Sequence, residues 1–207
     1  MDEVIKSTPL LEPEACEDLF QRVLEARPHW TARRGEWMFT LGAASYLDGP
    51  ACDRLARNTN PVLLATFGDL YDRLGKHFEA ALHAPVGYDP AIALPGFHVF
   101  VCGPQMRGEQ ARIHRDTPHL QRAWDGPISD PFSFTLPVRL PAAGGGLNYW
   151  VGLAARYLPY EPGRLYVVGP DVVHQIANRV DLADGEYRVT LQGHGVRRSD
   201  GSYVLFF

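Results

Sequence analysis

The chain predicts a mainly β fold with N-terminal helices, a double-stranded β-helix of the jelly-roll, cupin-like class. Three observations predict it. Helical periodicity dominates residues 1–93, whereas from Leu94 onward short apolar runs alternate with Gly and Pro punctuation. Runs that short cannot bury their apolar faces alone, so they need a layered partner or closure. At 207 residues the chain is long enough for one domain with a sizeable core, and it holds no repeat or low-complexity linker. The expected organisation is a single domain over 1–207, with 1–93 as helical support and 94–207 as the β-helix core.

Each element follows from local pattern. Glu12 through Arg27 reads as a first helix, with Pro13 near its start, Pro28 beyond its end, and Leu19, Phe20, Val23 and Leu24 as its apolar stripe. Pro61 through Leu82 reads as a longer helix. Leu63, Leu64, Phe67, Leu70, Tyr71, Leu74 and Phe78 recur on one face, while Gly68 and Gly75 weaken it. Between them, WMFTLGAASYLD holds a short strand before a turn at Gly49-Pro50. The predicted strands after Leu94 are GFHVFVCG, ARIHRD, DPFSFTLPVRL, GGLNYWVG, RLYVVG, VVHQIAN, EYRVTLQGHG and SYVLFF. Pro137 and Pro159 lack a ladder donor and mark edges, bulges or interruptions. Gly144-Gly145-Gly146 is a tight turn rather than a phosphate cradle, because the lysine and hydroxyl of a nucleotide loop are missing.

Composition narrows the function classes. Apolar residues make up 45% and charged residues 21%, the usage of an ordinary soluble domain. A net charge of −4, with basic residues scattered, argues against a nucleic-acid partner. No apolar run is long enough for a membrane span. The acidic N-terminus does not read as a secretory signal. Cys16, Cys52 and Cys102 form no disulfide framework or paired-cysteine zinc motif, so free thiols in a reducing, cytoplasmic compartment are expected.

The chemistry concentrates in ARIHRDTPHL and GPDVVHQIAN. His114 and Asp116 stand two residues apart, so one strand places both on the same face. His174 follows a strand and turn, YEPGRLYVVGPD. Two imidazoles and one carboxylate are the facial set that holds non-haem Fe(II) and leaves positions open for substrate and oxygen. Zinc can take the same ligands. His119, His98 and His194 compete as ligands. His119 follows Pro118 and leaves the inward face, His98 points into the barrel between Phe97 and Val99, and His194 sits at a turn or strand end between glycines. Further along, Arg188 in GEYRVTLQG offers a rigid fork for a carboxylate, and Thr190 adds a hydroxyl from the same strand face.

This pattern resembles the Fe(II)/2-oxoglutarate-dependent oxygenases. The resemblance spans about Leu94 to Phe207 and rests on His114-x-Asp116, His174 and Arg188-x-Thr190, with GGGLNYW as a further likeness. It implies that His114, Asp116 and His174 bind Fe(II) and are the catalytic centre. It implies that Arg188 and Thr190 hold the distal carboxylate of the co-substrate 2-oxoglutarate, and that O2 is the second co-substrate. The implied reaction is hydroxylation of an unactivated C–H bond in a small molecule, such as an amino acid or a biosynthetic intermediate. Because Asp116 fills the carboxylate position, hydroxylation is favoured over halogenation.

His98, Asn148 and Trp150 are candidates for a substrate or co-substrate pocket, with Asn148 and Trp150 sharing one strand face. Arg115, Arg139 and Gln175 are candidates for recognising a polar or anionic substrate, although Arg115 and Gln175 alternate away from the ligands if their strands are regular. Residues 29–60 and 117–130 are expected to cover the open end of the barrel. The alternatives are a peptide or protein hydroxylase of the same family, an iron oxygenase that uses no oxoacid, and a non-catalytic metal-containing β-barrel binding module.

Overall fold

The computed structural model describes residues 4–107, 112–177 and 183–207. Ala111 and Asn178, which end two of the predicted strands, lie outside the described residues.

The chain builds two sheets. Strands β1 (Ile5–Pro9), β2 (Thr31–Arg34), β3 (Met38–Leu41), β4 (Val86–Tyr88), β5 (Gly96–Val101), β6 (Ile128–Arg139), β9 (Arg164–Val168), β11 (Tyr187–Arg198) and β12 (Tyr203–Phe206) form the larger one. Its path runs β1-β9-β6-β11-β5-β3-β2, with β12 pairing to both β11 and β4. Strands β7 (Leu147–Val151), β8 (Ala154–Leu158) and β10 (Val173–Ile176) make a three-stranded sheet in the order β10-β7-β8.

Helix α1 (Pro13–Glu25) starts with proline at its first turn, where no intrahelical N–H partner is needed. Its buried side chains are Cys16, Leu19, Phe20 and Val23, spaced as one amphipathic stripe. A short turn of helix follows at α2 (Ser45–Asp48), then α3 (Cys52–Leu82), and a last turn at α4 (Pro104–Arg107). Helix α3 begins nine residues before the proline expected to open it, so Pro61 is internal, and the helix bends at Phe67 (φ −129°). Asn60, buried beside that proline, anchors the helix to the segment entering β5. Its amide donates to the Ile92 carbonyl at 2.8 Å, and its Oδ1 accepts from the Leu94 N–H at 3.1 Å.

Both long helices cover one face of the larger sheet. Phe67 of α3 meets Phe97 of β5 at 4.7 Å between ring centroids, and Phe78 meets Phe134 of β6 at 5.1 Å. Leu19, Val23, Leu70, Leu74, Val99, Leu136, Val189 and Leu191 complete this core. Each fully buried side chain of this kind contributes roughly 1.5–3 kcal/mol. Strand alternation then sends His98, Phe100, Ser133, Thr135 and Arg188 to the other face, toward the smaller sheet.

The structure departs from the expected elements in three ways. Besides β3, the short strand expected in WMFTLGAASYLD, residues 1–93 supply β1, β2 and β4, because edge backbone at β9, β3 and β12 is available for pairing. Strand β8 was not expected, since its exposed, alanine-containing run has no alternation to reveal it. The described part of ARIHRD, residues 112–116, forms no strand and makes one isolated bridge, His114 to His174. Pro137 does mark a bulge, lying where the β6–β11 register shifts between Val189 and Thr190. Among the described residues no helix is long and apolar enough to cross a membrane.

Candidate metal centre and cavity

The bridge that replaces the expected strand is what assembles the site. The His114 N–H donates to the His174 carbonyl at 3.0 Å, and the His174 N–H donates back to the His114 carbonyl at 2.9 Å. This reciprocal pair pins the 112–117 segment to the edge of β10. The two imidazoles stand 4.5 Å apart between centroids. Asp116, two residues on, projects between them, with Oδ1 at 3.6 Å from His114 Nε2 and Oδ2 at 3.5 Å from His174 Nε2.

The other ring nitrogen of each histidine is committed. His114 Nδ1 donates to the Arg112 carbonyl at 2.9 Å, and His174 Nδ1 donates to the Val172 carbonyl at 3.0 Å. A carbonyl can only accept, so each Nδ1 carries a proton, and Nε2 is the nitrogen turned toward Asp116. All three donor atoms lie within 4.8 Å of one another. Donors held about 2.1 Å from a common divalent ion stand roughly 3.0–3.4 Å apart, so small side-chain rotations complete the sphere. The donor set therefore fits a metal such as Fe(II), with one face left open.

The trio lies on a cavity of about 480 Å³ lined by side chains of both sheets. Burial works to raise the Asp116 carboxyl, but His194, His174, a Ser133 hydrogen bond and His114 outweigh it and hold it below the usual range. His174 is buried and His114 exposed, so the trio spans the cavity from interior to rim.

Arg188 lines the same cavity from β11 and is only 1% exposed. Its guanidinium stacks over Phe100 at 5.5 Å, and its Nε donates to the Gly145 carbonyl at 3.3 Å. Gly145 has φ +86°, a conformation that glycine adopts without strain, so the glycine turn is what directs this carbonyl at the arginine. Thr190 is fully buried, and its Oγ1 has no hydrogen-bond partner among the described residues. A buried cationic fork in the cavity fits an oxoacid carboxylate. Thr190 itself does not reach the cavity wall, beside the bulge that disturbs strand alternation.

His98 lines the cavity as expected and is hydrogen-bonded to the Tyr46 hydroxyl. Burial, then the charges of Arg188 and Arg33, push the His98 imidazole down to about 3, so the ring is neutral. Asn148 and Trp150 do share a strand face, but it is not the one facing the cavity. Leu147 lines the wall from β7, and alternation turns Asn148 and Trp150 the other way. Arg139 is also elsewhere, ion-paired with Glu17 at 3.0 Å and stacked on Phe20. Gln175 alternates away while His174 and Ile176 line the cavity. Arg115 corrects the expectation: with no regular strand to turn it outward, it lines the cavity together with Arg112. Met38 and Tyr46 from 29–60, and Thr117, Pro118 and Gln121 from 117–130, also reach the wall.

His194 is not at a turn. It sits inside β11, buried, with Nδ1 at 2.9 Å from Ser133 Oγ, and burial pushes it down to about 4. Period-two spacing from Arg188 through Gln192 was the available signal for it. Tyr46 and Tyr160 also line the cavity, and the sequence carried no signal for either. Burial raises both phenols, Tyr160 to about 12. His119 lies in a short 3-10 turn, Pro118–Leu120, away from the donor trio.

Comparison of sequences alone finds no matching family model and no similar curated protein. Solved structures do match. A novel N-substituted L-amino acid dioxygenase from Burkholderia ambifaria AMMD aligns over 100% of this chain and 87% of its own, with a TM-score of 0.59 at 14% identity. An oxidoreductase of the 2OG-Fe(II) oxygenase family from Burkholderia pseudomallei aligns over 96% and 86%, with a TM-score of 0.55 at 11% identity. The non-heme alpha ketoglutarate dependent epimerase SnoN from nogalamycin biosynthesis aligns over 94% and 81%, with a TM-score of 0.53 at 13% identity. These structures share this chain's fold, and the chain's own site supplies the trio of possible metal donors. At these identities the likeness to each structure is one of fold.

Proposed function

We propose that residues 1–207 form a single Fe(II)/2-oxoglutarate-dependent dioxygenase domain that hydroxylates an unactivated C–H bond of a small molecule. The larger and smaller sheets would be the two halves of a double-stranded β-helix. The observation that carries this reading is the convergence of His114, Asp116, His174 and the buried Arg188 on one cavity.

In this reading His114 Nε2, Asp116 and His174 Nε2 hold one face of the iron, and their committed Nδ1 protons keep both rings oriented. Arg188 takes the distal carboxylate of 2-oxoglutarate, with the Gly145 carbonyl and the Phe100 ring fixing the plane of its guanidinium. Iron with 2-oxoglutarate and O2 supplies the oxidising power, the oxoacid ending as succinate and carbon dioxide. The chain's own tasks are to keep Asp116 ionised, to seat the oxoacid by its far end, and to hold the substrate beside the open face. The buried walls at His98, Tyr160 and Arg188 keep bulk water from the interior end.

The test is anaerobic titration of 2-oxoglutarate into Fe(II)-loaded protein, followed by oxygen and a succinate assay. Uptake of one oxoacid per iron and succinate release, both abolished in His174→Ala, are expected. Metal uptake with no oxoacid binding would reject the reading and leave an iron oxygenase that uses no oxoacid or a metal-containing binding module.

A further inference from the structure

The rim of the cavity carries charge that the proposed chemistry leaves unused. Among the described residues its lining holds three arginines, Arg112, Arg115 and Arg188, against a single carboxylate, Asp116. The divalent ion, Asp116, the doubly charged oxoacid and Arg188 balance to neutrality. Arg112 and Arg115 remain as uncompensated cations facing the same space. Neither makes an ion pair or side-chain hydrogen bond among the described residues, in contrast to Arg22, Arg33, Arg122, Arg139, Arg164, Arg197 and Arg198, which all have carboxylate partners.

Their place in the chain fixes their place at the site. Arg115 lies between His114 and Asp116, so its Cα stands about 3.8 Å from each ligand's Cα. The Arg112 carbonyl is the group that holds His114 Nδ1. Both therefore ride on the bridged segment that carries two of the three metal donors. The segment's single bridge, in place of a strand, lets residues of both parities face inward.

Resting on the function proposed above, we infer that the primary substrate is an anionic small molecule whose carboxylate or phosphate is held by Arg112 and Arg115 at the rim. Its remaining body extends into the part of the cavity walled by Met38, Phe100, Leu147 and Ile176. The guanidinium forks orient the acid end, and the short backbone distance to the ligands sets a short spacing between acid group and reacting carbon.

The experiment measures binding of matched acid and neutral pairs: hexanoate with hexanamide, phenylacetate with phenylacetamide, N-acetylleucine with its amide, and phenyl phosphate with phenol. Calorimetry is run anaerobically on protein loaded with Fe(II) and 2-oxoglutarate, and again on protein with neither. At least one acid is expected to bind, with its neutral partner weaker by roughly tenfold to a hundredfold, the worth of a charged hydrogen bond. Arg112→Gln and Arg115→Gln are each expected to reduce that preference, and the double variant to abolish it. Arg115→Lys, which keeps the charge and loses the fork, should fall between, and Arg139→Gln, remote from the cavity, should retain the preference.

Binding of carboxylates but not the phosphate, or the reverse, identifies which acid the rim takes. Equal binding of acids and neutral partners overturns the inference. So does binding of no acid, or a preference that survives the double variant. Failure of wild-type, iron-loaded protein to take up 2-oxoglutarate is a separate result and strikes the function, while the metal-free arm still reads the arginines.

Discussion

Replacing Arg188 by methionine separates a binding role from a structural one. The guanidinium belongs to a residue only 1% exposed, donates to the Gly145 carbonyl at 3.3 Å and stacks on the Phe100 ring. Losing one long hydrogen bond and a cation–π contact costs about 1–2 kcal/mol. Methionine keeps the apolar contact with Phe100, and removing a buried charge recovers desolvation energy. The ligand-free protein should therefore melt within a few degrees of wild type. With 2-oxoglutarate the balance reverses. A bidentate pair of charged hydrogen bonds is lost, worth about 3–5 kcal/mol, which is roughly a hundredfold to several-thousandfold in Kd. Calorimetry of 2-oxoglutarate into Fe(II)-loaded protein measures the second effect, and thermal melting without ligand measures the first. Unchanged oxoacid affinity in Arg188→Met, with the fold intact, would refute the assignment of this arginine to the co-substrate.

Three further outcomes are expected. Asp48→Ala strands Arg33, whose guanidinium forms a bidentate pair with Asp48 at 2.5 and 2.8 Å with side chains only 11% and 5% exposed. The loss should be about 3–5 kcal/mol, read as a drop of roughly 10 °C in Tm, and an unchanged melt would contradict it. His98 and His194 are held neutral in the fold, down to about 3 and about 4, so the unfolded chain binds the extra protons. Stability from both is present above the ordinary histidine value near 6.5 and is lost as pH falls toward 4, by up to about 1.4 kcal/mol per pH unit for each. Urea unfolding of metal-free protein from pH 7 to 4.5 should show that slope, and His98→Phe should flatten it. Gly96→Ala would put its Cβ 2.4 Å from the Phe207 ring and 2.8 Å from the Leu41 carbonyl of the paired strand, so roughly 1–3 kcal/mol should be lost in denaturant titration.

What the sequence by itself determined is what short-range pattern and residue chemistry can carry. The stripe in α1, the alternation in β5, β6 and β11, and the donor types at His114, Asp116 and His174 were all legible, because period and ligand chemistry are local properties. The bulge at Pro137 was legible for the same reason, since proline has no N–H to give a ladder. Tertiary structure decided the rest. The first 93 residues add strands only because distant edges offer them backbone partners, which no local window contains. Residues 112–116 form a single bridge rather than a strand, and Arg115 joins the cavity lining beside the ligands. Asn148 and Trp150 face away because β7 is oriented by its pairing with β10, and a choice between two faces of one strand has no local signature. Tyr46 reaches His98 across a chain separation of fifty-two residues, and Arg33 pairs with Asp48 across fifteen, contacts that exist only once the fold has brought these side chains together.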